Sequence, residues 1–441
     1  MLTRGEAVPT ADIEPSGSET ATTGLARIAL VFTYVACAAT PWNGWIIGVR
    51  PGDAFLLLAL LAFFASDIGR RWPVLPGWVL QFGAIIVLVT VLHELLPTDP
   101  GYLAQRLVVD PQGIRIPEIQ TNLGVGLKFV VPIIGLPLMF GFAYLHDKRA
   151  LFRSGYAFAV GSAISGLIAF SDKLGVTHLS LSITGIPAAS GRAPGLAIHP
   201  NFLATTCVLG MPIMLWQVGS PRLRSRISAV LILVALALGV YASGSRGGAA
   251  VMAAAVGLSF VLMPVYRRVL PTVALVTASV AGLVFVLNPS VGQSLLRAVR
   301  LTGNSGAQSG SDYVRSSVAH QGKLDFLHSP IDGVGMQVAA EAHNVYLQAL
   351  ASGGLLLLVG YLTFVVAGLV KSFRQRKFDP LAYPFFIAAL AGAALSTVEN
   401  ALTDRLAYVP LALIAAMPSG RAADPGDDLP DLVDVTSVDT R

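Results

Sequence analysis

The sequence predicts an all-α polytopic membrane protein with about twelve transmembrane helices and one large external loop. Three observations predict it. Of 441 residues, 54% are hydrophobic and only 12% are charged, with a mean hydropathy of +0.68. Soluble proteins carry about 25% charged residues, so lipid must solvate much of this surface. Apolar stretches long enough for a spanning helix recur along the chain, and short Lys/Arg clusters occupy every second connection, the mark of cytoplasmic loops.

The spans are expected, in order, at Leu25–Ile47, Asp53–Ser66, Leu75–Leu96, Leu123–Leu145, Leu151–Phe170, Ala197–Val218, Ile227–Ala242, Gly247–Pro264, Val269–Leu287, Val345–Val370, Leu381–Val398 and Leu402–Met417. The second is short and the last two are interrupted. Residues 1–24 are polar and acidic (Glu6, Asp12, Glu14, Glu19) and are expected to be disordered and cytoplasmic. They lack the basic n-region of a cleaved signal peptide, so the first span is expected to remain as a signal-anchor. Residues 25–288 then carry the first nine spans, 289–344 form the large external loop, and 345–418 carry the last three. Residues 419–441, rich in Asp and Pro, read as a disordered cytoplasmic tail.

The cytoplasmic clusters are Arg70-Arg71, Lys148-Arg149 with Arg153, Arg222/Arg224/Arg226, Arg267-Arg268, and Lys371/Arg374/Arg376/Lys377. By parity, the segments around 98–122, 172–196, 243–246 and 289–344 emerge on the external face. Arg192, Arg246, Arg315 and His343 are therefore expected on one side of the membrane. The net charge of +5 is modest and no basic block interleaves with aromatics, so nucleic acid is not an expected partner. Cys37 and Cys207 both fall in apolar spans and read as packing residues rather than a disulfide.

Three polar constellations carry the chemistry. Gly191-Arg192-Ala193-Pro194-Gly195 precedes His199-Pro200-Asn201, where Pro200 suits the first turn of a helix. Arg192 can hold an anion beside that helix's positive end, or simply reach water from the interface. Ser243-Gly244-Ser245-Arg246-Gly247-Gly248 separates two spans with almost no loop. An unpaired charge there costs several kcal/mol. With glycines for close approach, Ser245 as a cap and a helix start behind it, Arg246 reads as a phosphate or diphosphate seat rather than a snorkelling residue. In the long external segment, Ser311–Arg315 reads as a surface helix, Ser329–Gly335 as a turn, and His343-Asn344 as the entry to the tenth span with Asn344 as N-cap. A neutral imidazole at His343 can accept a proton at working pH, although a lone His at a helix start more often caps the helix or is solvated.

His320, His328, His343, Asp325, Asp332 and Glu341 share that segment, but their spacings match no compact ligand pattern, and neither a metal nor a cofactor is expected. Glu399, Asp404 and Arg405, between the last two spans, read as a structural ion pair or as part of the cavity wall, with the structural role leading. His93, His146 and His178 carry no signal.

The order of these sites resembles the O-antigen ligase and polymerase superfamily. The features are Arg192-x-x-Gly195 with Pro200-Asn201, Ser243-x-Ser245-Arg246-Gly247, Arg315, Pro330-x-x-Gly333-Val334-Gly335, and His343-Asn344-x-Tyr346-Leu347. The resemblance covers roughly Ser190 to Gly360; the first half of the chain fits only in hydropathy. It departs from the family at Ser352, where an acidic residue is common, and in the doubled Gly353-Gly354. The resemblance implies a GT-C-like helical fold in a bacterial plasma membrane and a metal-independent inverting glycosyltransferase working on the periplasmic side. It implies an undecaprenyl-diphosphate-linked glycan donor and a glycan, glycolipid or protein acceptor. Arg246, Arg315 and His343 match its catalytic positions. Arg192, Arg246, Arg315 and Ser245 would hold the donor diphosphate, with Asn201, Asn344 and Tyr346 in support. A ligase is the leading expectation, a polymerase joining lipid-linked repeats the second, and a transporter or flippase the third.

Overall fold

The computed structural model describes residues 17–44, 50–66, 72–106, 121–188, 191–266, 306–338, 342–399 and 401–418. Among them every regular element is helical: α1 Gly17–Ala39, α2 Pro51–Ala65, α3 Gly77–Leu95, α4 Pro100–Gln105, α5 Asn122–Val130, α6 Leu136–His146, α7 Ala150–Lys173, α8 Leu179–Thr184, α9 Pro200–Val218, α10 Leu223–Ser243, α11 Arg246–Leu262, α12 Gly306–His328, α13 Val345–Gln375, α14 Ala382–Leu395 and α15 Val409–Ala416. Six units are long and apolar enough to cross a membrane: α3, the joined α5–α6, α7, α9, α10 and α13. Shorter apolar helices are found at 24–39, 51–65, 246–262, 382–395 and 405–416. The chain is a polytopic helical membrane protein. The expected span at Val269–Leu287, residues 289–305 of the long loop and the tail 419–441 lie outside the described residues.

Several expected boundaries move, each for a local reason. Helix α1 starts at Gly17, inside the segment expected to be disordered, because no Pro or Gly interrupts Ser18 to Thr23. The fourth span opens into a π-turn at Val131–Gly135. Pro132 has no amide hydrogen to donate there, and the wider turn absorbs the loss. The tenth span runs on to Gln375 and is broken at Gly353 (φ −141°, ψ 17°) and Gly354 (φ 58°, ψ −154°). The eleventh stops at Leu395, and the twelfth begins only after a 3-10 turn at Arg405–Tyr408.

Helix α9 is the axis of the bundle. Every residue from Asn201 to Leu215 is buried, against α7, α10, α11 and α14. Small residues bring the helices together: Gly166 of α7 faces Gly239 of α10, where an added Cβ would lie 2.8 Å from the opposite Cα. Contact of this kind drives helix association where lipid removes the hydrophobic difference.

Ion pairs tie the loops at one end of the bundle. Arg50 bonds Asp404 at 2.5 Å and Arg405 bonds Asp53, so Asp404 and Arg405 are structural. Buried Asp325 of α12 accepts two bonds from Arg106, at 2.9 and 2.7 Å, with Tyr102 and Gln321 also donating to it. His328 stacks on Tyr102 at 3.8 Å. These contacts dock α12 on the α4 segment, and they remove Asp325 from any ligand set.

The break in α13 is filled by the turn at 330–335. Val334 and Gly335 amides donate to Ala351 O (2.8 Å) and Ser352 O (3.1 Å), while Leu355 and Leu356 amides donate to Pro330 O (2.9 Å) and Ile331 O (3.2 Å). His93, without signal in the sequence, bridges the same turn: its ring nitrogens meet Val89 O at 2.9 Å and Gly333 O at 3.0 Å.

Candidate functional site

The segment from Arg192 to His199 is irregular yet largely buried, so its amides need partners. They find them on several elements. Ala193 N donates to Ala242 O (3.1 Å), Leu196 N to Ser165 Oγ (2.9 Å) and Ile198 N to Asn43 Oδ1 (2.8 Å), while Leu196 O accepts from Gly44 N (3.1 Å). This bracing presents Arg192, half-buried, at the start of α9. Its Nε donates to Ser243 O at 2.8 Å and its guanidinium bonds Asn201 Oδ1. Pro200 occupies the first turn, and His199 caps α9 by accepting from Asn201 N through Nδ1 at 3.2 Å. Burial, with Arg192, His343 and Arg315 nearby, pushes the His199 imidazole down to about 4, so the ring is neutral.

Ser245 caps α11, accepting from Gly248 N at 3.2 Å, and Arg246 is the first residue of that helix. The two glycines that follow admit the helix start into a narrow space. A Cβ on Gly247 would lie 3.1 Å from Val398, and one on Gly248 would lie 2.6 Å from Ala204 Cβ. Arg246 is thereby set between α9 and the segment after α14.

His343 is the non-glycine residue with a positive φ (45°) among the described residues. Its neighbours impose that conformation, whose strain is of order 1–3 kcal/mol. Asn344 Oδ1 caps α13 by accepting from Leu347 N (3.0 Å), and Asn344 Nδ2 donates to Thr397 O (3.0 Å). Val345 N donates to Ser396 O (2.8 Å) and Tyr346 OH to Ala393 O (2.9 Å). The His-Asn turn is therefore clamped to the end of α14. His343 Nδ1 is buried with no hydrogen-bond partner among the described residues. Burial, then the Arg315 charge, holds its pKa below the usual histidine value, which keeps the ring neutral.

Glu399 completes the cluster. It follows the Ser396-Thr397 carbonyls that hold the His-Asn turn, and it is 3% exposed. Burial pushes its carboxyl up to about 8, against the opposing pull of Arg315, a side-chain hydrogen bond from Asn201, and Arg192. Oε2 has no hydrogen-bond partner among the described residues. The structural pairing expected for Glu399 is thus corrected: Asp404 and Arg405 pair elsewhere, and Glu399 faces the arginines. Its signal was available in the expected parity, which puts the exit of the eleventh expected span on the face expected for Arg192, Arg246 and His343.

Arg192, Arg315 and His343 therefore lie within electrostatic reach of His199, and Arg315, Asn201 and Arg192 within reach of Glu399. Arg246 and His343 lie at one end of the bundle, because Val398 touches Gly247 while Thr397 holds Asn344. Tyr346 and Ser245 act in support, as an anchor and a cap. Among the described residues, no group of three or more His, Cys, Asp or Glu is placed to hold a metal ion.

Residues 231–362 match the family model described as O-antigen ligase. The chain carries an O-antigen ligase domain. The matched stretch includes Ser245, Arg246, Arg315, His343, Asn344 and Tyr346; Arg192, His199 and Asn201 precede it and Glu399 follows it. No curated protein matches the chain. The O-antigen ligase domain implies a glycosyltransferase-like role with, in general, a lipid-linked glycan donor and a glycan acceptor.

Proposed function

We propose that this O-antigen ligase domain protein is an inverting glycosyltransferase. It moves a glycan from an undecaprenyl-diphosphate carrier to an acceptor hydroxyl on the external face of the bacterial plasma membrane, in cell-surface polysaccharide assembly. In this reading the chain crosses the membrane about twelve times in a GT-C-like arrangement. The observation that carries it is that Arg192, Arg315, His343 and Glu399 lie within electrostatic reach of one cluster at one end of the bundle. Arg222, Arg224 and Arg226 open α10 at the opposite end.

The chemistry follows from the charges. The acceptor oxygen attacks the anomeric carbon from the face opposite the diphosphate. The anomeric C–O bond breaks, its electron pair leaves with the phosphate oxygen, and the acceptor proton passes to the neutral His343 ring. Negative charge grows on the leaving diphosphate, and Arg246 with Arg192 and Arg315 stabilises it more in the transition state than in the ground state. One such contact supplies about 3 kcal/mol, a hundredfold or more in rate. The arginines take the place that a divalent cation holds in metal-assisted transfer. Glu399, protonated at neutral pH, adds no anion beside the diphosphate and has a hydroxyl to donate to it.

The deciding experiment incubates the purified protein with an undecaprenyl-diphosphate glycan and an acceptor in the presence of EDTA and sizes the products. Single transfer to a glycan, glycolipid or protein acceptor is the expected result. A ladder of repeats identifies a polymerase. Carriage of the lipid-linked glycan across the bilayer without transfer identifies a flippase. The clustering of charge at one end disfavours the flippase, since transporters place ionisable groups near midplane in both halves.

A further inference from the structure

Helices α10 and α11 follow one another in the chain, yet beyond the turn at Gly244 they barely touch. Between them runs a groove of about 70 Å³ lined by Ala237, Val240, Tyr241, Gly244, Ser245 and Met252. Its walls are apolar along most of their length, and it ends at Ser245, the cap beside Arg246. Ala237 and Tyr241 are exposed, so the groove opens sideways from the bundle.

A cation stands against Tyr241, one of the lining residues. Lys173, the last residue of α7, donates from Nζ to Tyr241 O at 3.0 Å and lies 4.3 Å from the centroid of the Tyr241 ring. Two residues on, Ser243 O accepts from Arg192 Nε at 2.8 Å. Cations from two separate segments thus grip the closing carbonyls of one helix, and Arg192 is the charge that Lys173 feels. An ammonium has three donors and Tyr241 O takes one. The adjacent Asp172 is occupied elsewhere: its oxygens accept from Thr177 Oγ1, Leu179 N and Ser180 N.

An apolar groove whose mouth, at Tyr241 and Ser245, has Lys173 and Arg192 bonded to the adjoining carbonyls fits an apolar chain that ends in a diphosphate. A free phosphate has no use for the groove, and a zwitterionic phospholipid brings a cation to a mouth that repels it. We propose that the groove between α10 and α11 receives the first isoprenoid units of the lipid carrier, with Lys173 holding the phosphate nearest the lipid. The inference rests on the reading of the protein as a user of a lipid-diphosphate donor and adds where that lipid lies.

The test uses the full chain in nanodiscs with radiolabelled undecaprenyl diphosphate and a photo-crosslinking amino acid placed at Ala237, Met252 or, as a lipid-facing control on α13, Val359. Labelling at 237 and 252 that excess unlabelled carrier removes, and no such labelling at 359, is expected; equal labelling at all three overturns the groove. Lys173→Gln is expected to weaken undecaprenyl diphosphate binding about tenfold, the scale of one charge-assisted contact, and to leave undecaprenol binding unchanged. Equal affinity of wild type and variant for the diphosphate overturns the role of Lys173. Competed labelling at 237 without glycan transfer to any acceptor sinks the glycosyltransferase reading and keeps the groove. Transfer without labelling does the reverse.

Discussion

Gly333 and Gly353 meet backbone to backbone: a Cβ on Gly333 would lie 2.4 Å from the Gly353 amide nitrogen. The break in α13 leaves two carbonyls and two amides without partners in their own helix, and the 330–335 turn supplies all four. His93 holds the turn from the other side through Gly333 O. Gly333→Ala should therefore lower the thermal unfolding midpoint of the solubilised protein and, with it, transfer. Its left-handed φ of 76° alone costs a side chain about 1–2 kcal/mol, before the clash with Gly353. An unchanged midpoint would show that the stitch does not hold the helix.

His343→Ala should abolish glycan transfer while membrane insertion stays normal. General base help is typically worth about 10²–10⁴-fold, and the clamp on Asn344, Val345 and Tyr346 does not depend on the imidazole. Retained turnover in that variant rejects the base role.

Arg246→Lys should be impaired by about a hundredfold in kcat/KM, because an ammonium cannot form the bidentate contact with phosphate oxygens. Wild-type rates would mean that Arg246 only reaches for the headgroup region. The measurement is steady-state transfer at matched protein abundance.

Glu399 makes donor binding depend on pH. Burial already pushes its carboxyl up to about 8, and an arriving diphosphate raises its proton affinity further. Binding then takes up a proton, so affinity for undecaprenyl diphosphate falls as pH rises through about 8. Glu399→Gln, neutral at every pH, should flatten that fall and bind with the low-pH affinity of the wild type. A dissociation constant with the same pH slope in both proteins would place the titration elsewhere.

The membrane class and most of the helices were legible in the chain, because hydropathy, Lys/Arg placement and capping residues act locally. Ser245 and Asn344 cap the helices that their spacing predicts. Cys37 and Cys207 are buried free thiols in apolar helices. The break in α13 was not legible, although Gly353-Gly354 stood in plain view. Two glycines permit a break, but only the 330–335 turn, arriving from outside the helix, provides the hydrogen bonds that make it stable.

Sequence by itself determined the solvent this protein lives in and which side chains were available for chemistry. Tertiary structure alone decided which of them face one another. It separated Glu399 from its near neighbours, sending Asp404 to Arg50 and Arg405 to Asp53 and leaving Glu399 buried, within reach of Arg192, Asn201 and Arg315. The physical reason is that a carboxylate's role is set by the charge around it, and at Glu399 that charge is contributed by residues 84 or more positions away in the chain.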